Sequence, residues 1–146
     1  MKKELVQQVN SYVANLGVVY IKTHNLHWNV FGLQFKAVHE YLESLYDAFA
    51  DVLDETAELL KIAGAQPVAS LKGYLEIATI KELGDEAVDQ KKALEITLAD
   101  LELLRDQALA IRKAADAHDC FGVANLMEDH VTNYAKQIWF LRSMLA

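Results

Sequence analysis

A chain of 146 residues with 53% hydrophobic and 24% charged side chains is long enough for one domain with a real core and too apolar to be disordered. Its formal net charge of −7 opposes non-specific contact with nucleic acid and suits an acidic cavity that draws in cations. The single Cys120 closes no intrachain disulfide, the apolar runs are as short as 16–21, and no signal-peptide segment follows Lys2 and Lys3, so a cytoplasmic protein with no membrane span is expected.

Apolar spacing and the glycines that interrupt it divide the chain into four long helical stretches. The first covers 4–29, with Val9, Tyr12, Val13, Leu16, Val19, Tyr20 and Leu26 at helical spacing, and Gly32 breaks it. The second covers 35–63 and stops at Gly64, with Pro67 just beyond. A connection over 65–85 contains "SLKGYLEI", which can form a short helix. The third stretch covers 86–115, and the fourth starts near Cys120 or Phe121 and continues to Leu145, with Trp139 expected in the core. Two helices, a crossover and two more helices make an all-α four-helix bundle with a short helix in its one long connection, a single domain over 1–146.

Three of the five histidines, His24, His27 and His39, gather around Gly32. So short a link makes the two helices antiparallel neighbours, and residues equidistant from it face each other. His27 and His39 both lie six residues from Leu33, and Glu43 follows His39 by one helical turn. Two imidazoles and a carboxylate converging in this way make half of a transition-metal site, although each histidine alone could be an ordinary hydrogen-bonded residue. "LDETAELL" adds Asp54 and Glu58, again four apart. Glu40, Glu43, Asp47, Asp51, Asp54, Glu55 and Glu58 share an arc of about 120° on the second helix. Lys61 is the one lysine after His39 on that helix, so the face looks built for cations; a solvated amphipathic face is the competing account. Tyr41, Leu42, Leu45, Tyr46, Ala48, Phe49, Val52, Leu53, Leu59 and Leu60 fill the other arc and are expected in the core.

His39 and Asp54 are fifteen residues apart, about 22 Å along one helix axis, whereas a ligand bond is about 2.0–2.2 Å. One chain therefore cannot bring them to one ion. A second, antiparallel copy related by a two-fold axis near Tyr46 or Asp47 would bring Asp54 and Glu58 towards His39 and Glu43 of its partner. No histidine has a glutamate three residues before it, so the paired Glu-x-x-His motifs of intrasubunit di-iron bundles are absent.

"HNLHWNVFG", "VHEYLE", "LDETAELL" with "AGAQP", "SLKGYLEIATIKE" and "QIWFLRSML", in this order, resemble the Dps family of DNA-binding proteins from starved cells, or miniferritins, over nearly the whole chain. The resemblance implies a ferritin-like fold and a dodecamer built from two-fold dimers. It implies oxidation of Fe(II), preferably by hydrogen peroxide with oxygen as the alternative, at ferroxidase sites between subunits. Ferric mineral would be stored inside, protecting against oxidative stress. Carried over by motif, the catalytic and metal-binding residues would be His27, His39 and Glu43 from one chain with Asp54 and Glu58 from its partner. Trp28 resembles a family tryptophan placed beside the site to quench or relay radicals.

Three departures stand out. Position 43 is usually Asp in the family and is Glu43 here, which shifts the carboxylate's reach and bears most on a second iron position. Basic tails mark the DNA-binding members, but only Lys2 and Lys3 precede the first helix and the chain ends at Ala146, so DNA binding is not expected. Phe121 and Asn125 stand where the family often lines its pores with acids, and no pore is assigned among Asp116, Asp119, Glu128 and Asp129. His24, three residues before His27, could approach the site but is expected at the surface, His118 and His130 are expected as structural or solvated residues, and Cys120 without a role. Glu40, Asp47, Asp51 and Glu55 are candidates for nucleating ferric iron on an inner wall. The alternatives are a non-enzymatic cage for divalent metals and a nucleoid-associated DNA-protecting protein.

Overall fold

The computed structural model describes all residues from Met1 to Ala146. Helices α1 (Lys3–Asn29), α2 (Phe35–Ile62), α4 (Gln90–Asp116) and α5 (Phe121–Leu145) form the bundle, and the short α3 (Leu71–Ile77) lies in the connection between its halves. The expected all-α bundle with a helix in the crossover is the observed fold. Helix α1 packs along α2 and α4 along α5; the two hairpins meet chiefly through α1 and α4, and α3 lies on α1. No helix is long and apolar enough to cross a membrane.

The hairpin that carries the histidines is fixed at its tip. Gly32 has φ +139°, a conformation that glycine adopts without strain, and a Cβ there would collide with the Gln90 side chain. Gln90 Oε1 instead accepts the backbone N–H of Gln34 at 2.6 Å, joining the α1–α2 turn to the start of α4. Val30–Phe31 (β1) also pairs in parallel with Val88–Asp89 (β2), Val30 opposite Val88. This pairing corrects the expected start of the third helix at 86: residues 88 and 89 are extended, and Asp89 caps the helix by accepting from the Lys91 N–H at 2.9 Å. Helix α2 ends in a Schellman motif, with Gly64 at φ +76° and the Ala65 N–H bonded to the Leu60 carbonyl at 2.8 Å.

Two buried or half-buried asparagines of α1 hold the crossover. Asn10 Oδ1 accepts from the Val68 N–H at 2.7 Å. Asn15 Oδ1 accepts from the N–H groups of Thr79 and Ile80 at 2.8 and 3.0 Å, while its amide donates to Gln107 on α4. Gly17 makes room for the Tyr74 ring of α3, which would stand 2.4 Å from a Cβ.

The core is built from stripes spaced by three and four residues: Val9, Tyr12, Leu16 and Leu26 on α1, Leu42, Leu45, Phe49 and Leu60 on α2, and Leu101, Leu104, Ile111, Met127 and Leu141 on α4 and α5. Two expected core positions are corrected. Ala48 is exposed, and Trp139 is 64% exposed because the buried stripe of α5 runs through Tyr134, Ile138 and Leu141 and leaves 139 to one side.

Candidate metal centre

His27 ends α1, His39 lies in the second turn of α2, and the turn at Gly32 places their rings in a parallel stack with centroids 3.6 Å apart. Each ring is tethered to the other's backbone: Nδ1 of His27 donates to the His39 carbonyl and Nδ1 of His39 to the His27 carbonyl, both at 2.7 Å. A carbonyl only accepts, so each Nδ1 carries the hydrogen, and in the neutral form each imidazole has its lone pair on Nε2. That is the tautomer a metal ligand needs, with the ring orientation fixed from behind. His27 is 5% exposed and His39 half-buried, which limits the water competing for those lone pairs.

Glu43 projects beside them from the next turn of α2, with Oε1 3.9 Å from His27 Nε2. The Tyr46 hydroxyl donates to the same Oε1 at 3.3 Å. Desolvation first, and then the Glu43 carboxylate, push the Tyr46 hydroxyl above its ordinary value, so it stays a donor. Tyr46 is held in turn by His24, whose ring stacks on it at 3.7 Å and whose Nδ1 donates to the Tyr20 carbonyl at 2.7 Å. His24 is thus half-buried, a correction to its expected surface position, because Tyr46 covers it. Tyr46 as the support of Glu43 was not singled out in the sequence; its i, i+3 spacing from Glu43 is the signal that was there. Trp28 lies beside this group with its ring 5.4 Å from that of His24 and is itself exposed.

Asp54 and Glu58 are exposed near the other end of α2. They stand about 22 Å and about 28 Å from His39 along the axis, and the fold does not bring them to the histidine pair of their own chain. Within one chain, no three His, Cys, Asp or Glu side chains form a group able to hold a metal ion. The chain presents two separate sets of donors: a tethered His27–His39 pair with Glu43 at the α1–α2 turn, and the Asp54–Glu58 carboxylates one turn apart towards the other end of α2.

The family model for the ferritin-like domain matches residues 6–146. Among curated relatives, DNA protection during starvation protein 2 of Bacillus anthracis is 34% identical, with 99% of this chain and 99% of that protein aligned. The crystal structure of antigen TpF1 from Treponema pallidum superposes with a TM-score of 0.95 at 33% identity, covering 97% of this chain and 91% of that one. A Dps protein from Vibrio cholerae O1, described as a member of a broad superfamily of ferritin-like diiron-carboxylate proteins, gives a TM-score of 0.94 at 30% identity over 99% of this chain and 90% of its own. Matched in sequence over nearly its full length and in the arrangement of every helix, the chain belongs to the Dps family of ferritin-like proteins.

Proposed function

We propose that this protein stores iron and protects against oxidative stress by oxidising Fe(II), preferably with hydrogen peroxide, at sites shared between two copies in a dodecameric cytoplasmic cage. The observation that carries this reading is the reciprocal tether of His27 and His39, which aims two imidazole lone pairs from one wall. His27, His39 and Glu43 of one chain would hold the Fe(II) substrate, with Asp54 and Glu58 of a second chain closing the site. Mixed imidazole and carboxylate donors suit Fe(II), and the carboxylates favour the harder Fe(III) product. Exposed Ile21, Leu71 and Leu75 on α1 and α3 offer apolar area that neighbouring copies in a cage would cover.

The electron balance explains the protection. Two Fe(II) ions each give one electron to one peroxide; its O–O bond breaks, two protons are taken up and two waters form, so no hydroxyl radical is released. Glu43 reaches further than an aspartate and is held by Tyr46, so it can follow the change in charge without losing its place. Glu40, Asp47 and Asp51, exposed along α2, are the groups proposed to receive the ferric product.

The test is anaerobic loading with Fe(II) followed by peroxide, with ferric absorbance and native mass recorded together. The expected result is oxidation at least about a hundredfold faster than in buffer, consuming two irons per peroxide, in an assembled oligomer. Binding of Fe(II), Zn(II) and Mn(II) with no acceleration would replace the ferroxidase reading by that of a divalent-metal cage, which the same donors could serve. Relatives bear names for DNA protection, but a formal net charge of −7 per chain argues against contact. Duplex DNA is therefore expected to show no gel retardation at about 0.15 M salt without magnesium, and a retarded band would reveal a basic surface that the net charge conceals.

A further inference from the structure

Away from the histidine pair, α1, α2 and α5 bring four side chains into one hydrogen-bonded line through the core. The Tyr12 hydroxyl lies 2.5 Å from the Tyr134 hydroxyl and 3.0 Å from Nδ1 of His130, and Nε2 of His130 lies 2.6 Å from Oε1 of Glu55. Tyr12 is fully buried and His130 is 2% exposed, while Glu55 reaches solvent on the acidic face of α2.

The direction of each bond follows from what each group can offer. An ionised carboxylate only accepts, so Nε2 of His130 carries the hydrogen. In its neutral form the ring then has a lone pair on Nδ1, to which Tyr12 donates. Tyr12 has spent its one hydrogen, so Tyr134 donates to Tyr12. The line therefore runs Tyr134 to Tyr12 to His130 to Glu55, with an imidazole base against one phenol and a carboxylate behind that base.

Burial holds both phenols protonated well above their ordinary range. Ionisation of Tyr12 ahead of its oxidation is therefore disfavoured. Losing an electron alone would leave a bare cation in the core, which is costly. Losing the electron and the proton together leaves a neutral ring, and the acceptor for that proton is already in hydrogen-bond contact.

We propose that Tyr12 is a redox-active tyrosine that yields one electron to a strong one-electron oxidant while its phenolic proton passes to His130, holding the hole as a neutral phenoxyl radical inside the bundle. The Tyr12 O–H bond breaks and an Nδ1–H bond forms; the imidazolium is balanced by the Glu55 carboxylate, and Tyr134 keeps donating to the phenoxyl oxygen. The oxidant class is the hydroxyl radical, formed where peroxide meets a single Fe(II) instead of a pair, which becomes hydroxide on taking the electron. Repair takes one electron from Fe(II), giving Fe(III), and the proton returns from Nδ1. Only these iron-derived partners rest on the proposed function; the proton-coupled line stands on geometry alone.

The test uses the assembled, iron-free protein with a photoexcited ruthenium polypyridyl and a sacrificial acceptor as the one-electron oxidant. A long-lived phenoxyl radical is expected in transient absorption and in freeze-quenched electron paramagnetic resonance, forming more slowly in deuterated water. Tyr12→Phe should remove it while leaving peroxide-driven Fe(II) oxidation unchanged. Glu55→Gln, which alters the exposed end of the line, should slow its formation about tenfold, the factor carried by one pKa unit of the imidazolium. A radical unchanged in Tyr12→Phe, or none in the wild type although the oxidant is consumed, overturns the assignment. If Tyr12→Phe fails to assemble, an unchanged rate in Glu55→Gln does so. Because no iron is present in the photochemical arm, a failed ferroxidase assay and a failed radical assay are distinct results.

Discussion

Neither His27→Ala/His39→Ala nor Asp54→Ala/Glu58→Ala should oxidise Fe(II) rapidly alone, and the two variants co-assembled should recover activity that neither parent has. Each double substitution removes one wall of the proposed site, so each parent should lose at least about a hundredfold in initial rate, the upper end of what even outer-shell changes cost. All four residues are at or near the surface or on the hairpin tip, and none belongs to the apolar cluster that holds the bundle, so both variants should still assemble. After disassembly and mixing in equal amounts, about half the dimers should be mixed. A mixed dimer has two interfacial sites: one combines both intact walls and the other both damaged walls. Recovery to about one quarter of the wild-type rate follows. A site within a single chain cannot be rescued, since every chain stays damaged. If mixing is confirmed by native mass and the rate stays at the parental level, the shared site is wrong, and the ligands must then be sought around His24 and Asp47.

The parts of the structure legible in the sequence are those governed by local periodicity and by distance from a turn. The three- and four-residue spacing of apolar side chains marks the four long helices, and the equal distance of His27 and His39 from Leu33 is enough to set them side by side. What was not legible depends on pairing across long separations. The start of α4 moved from 86 to Gln90 because Val88 pairs with Val30, a contact that the local pattern does not encode. The carbonyl tethers that fix the histidine tautomers are backbone features of a particular turn geometry. Trp139 reads as core by its character, but its angle on α5 puts it outside. Tyr12, His130 and Tyr134 meet across more than a hundred residues of sequence, and each alone looks like a polar residue on an apolar stripe. Asn15, Lys22 and Asp100 belong to the same class: polar groups at core spacing, whose partners lie on other helices.

Replacing Lys22 by alanine should destabilise the bundle more than replacing Lys22 and Asp100 together. Lys22 of α1 and Asp100 of α4 are 8% and 9% exposed, and they meet with Nζ 2.8 Å from Oδ2 and 3.1 Å from Oδ1. Burial pushes the Asp100 carboxyl above its ordinary value, and the hydrogen bond and charge of Lys22 bring it part of the way back. Lys22→Ala removes that compensation and leaves a buried carboxylate without its cationic partner, a loss of about 3–5 kcal/mol. Lys22→Met/Asp100→Leu removes both charges and keeps the volume, so it should fall within about 1 kcal/mol of the wild type or exceed it. At about 2–4 °C per kcal/mol for a chain of this size, the single variant should melt roughly 6–20 °C lower. The pH dependence has a definite sign. A carboxyl with a raised folded pKa binds its proton more tightly in the native state, so the stability it contributes is present below the unfolded carboxyl range and is lost as pH rises through the folded value. Lys22→Ala raises that value further, so its deficit against the wild type should shrink on acidification from neutral pH, whereas the Met/Leu pair should show no such trend. Melts must be compared at one protein concentration, because assembly contributes to apparent stability. A single variant no weaker than the double, or a deficit that does not change with pH, would mean that the buried pair is hydrated and contributes little to holding α1 against α4.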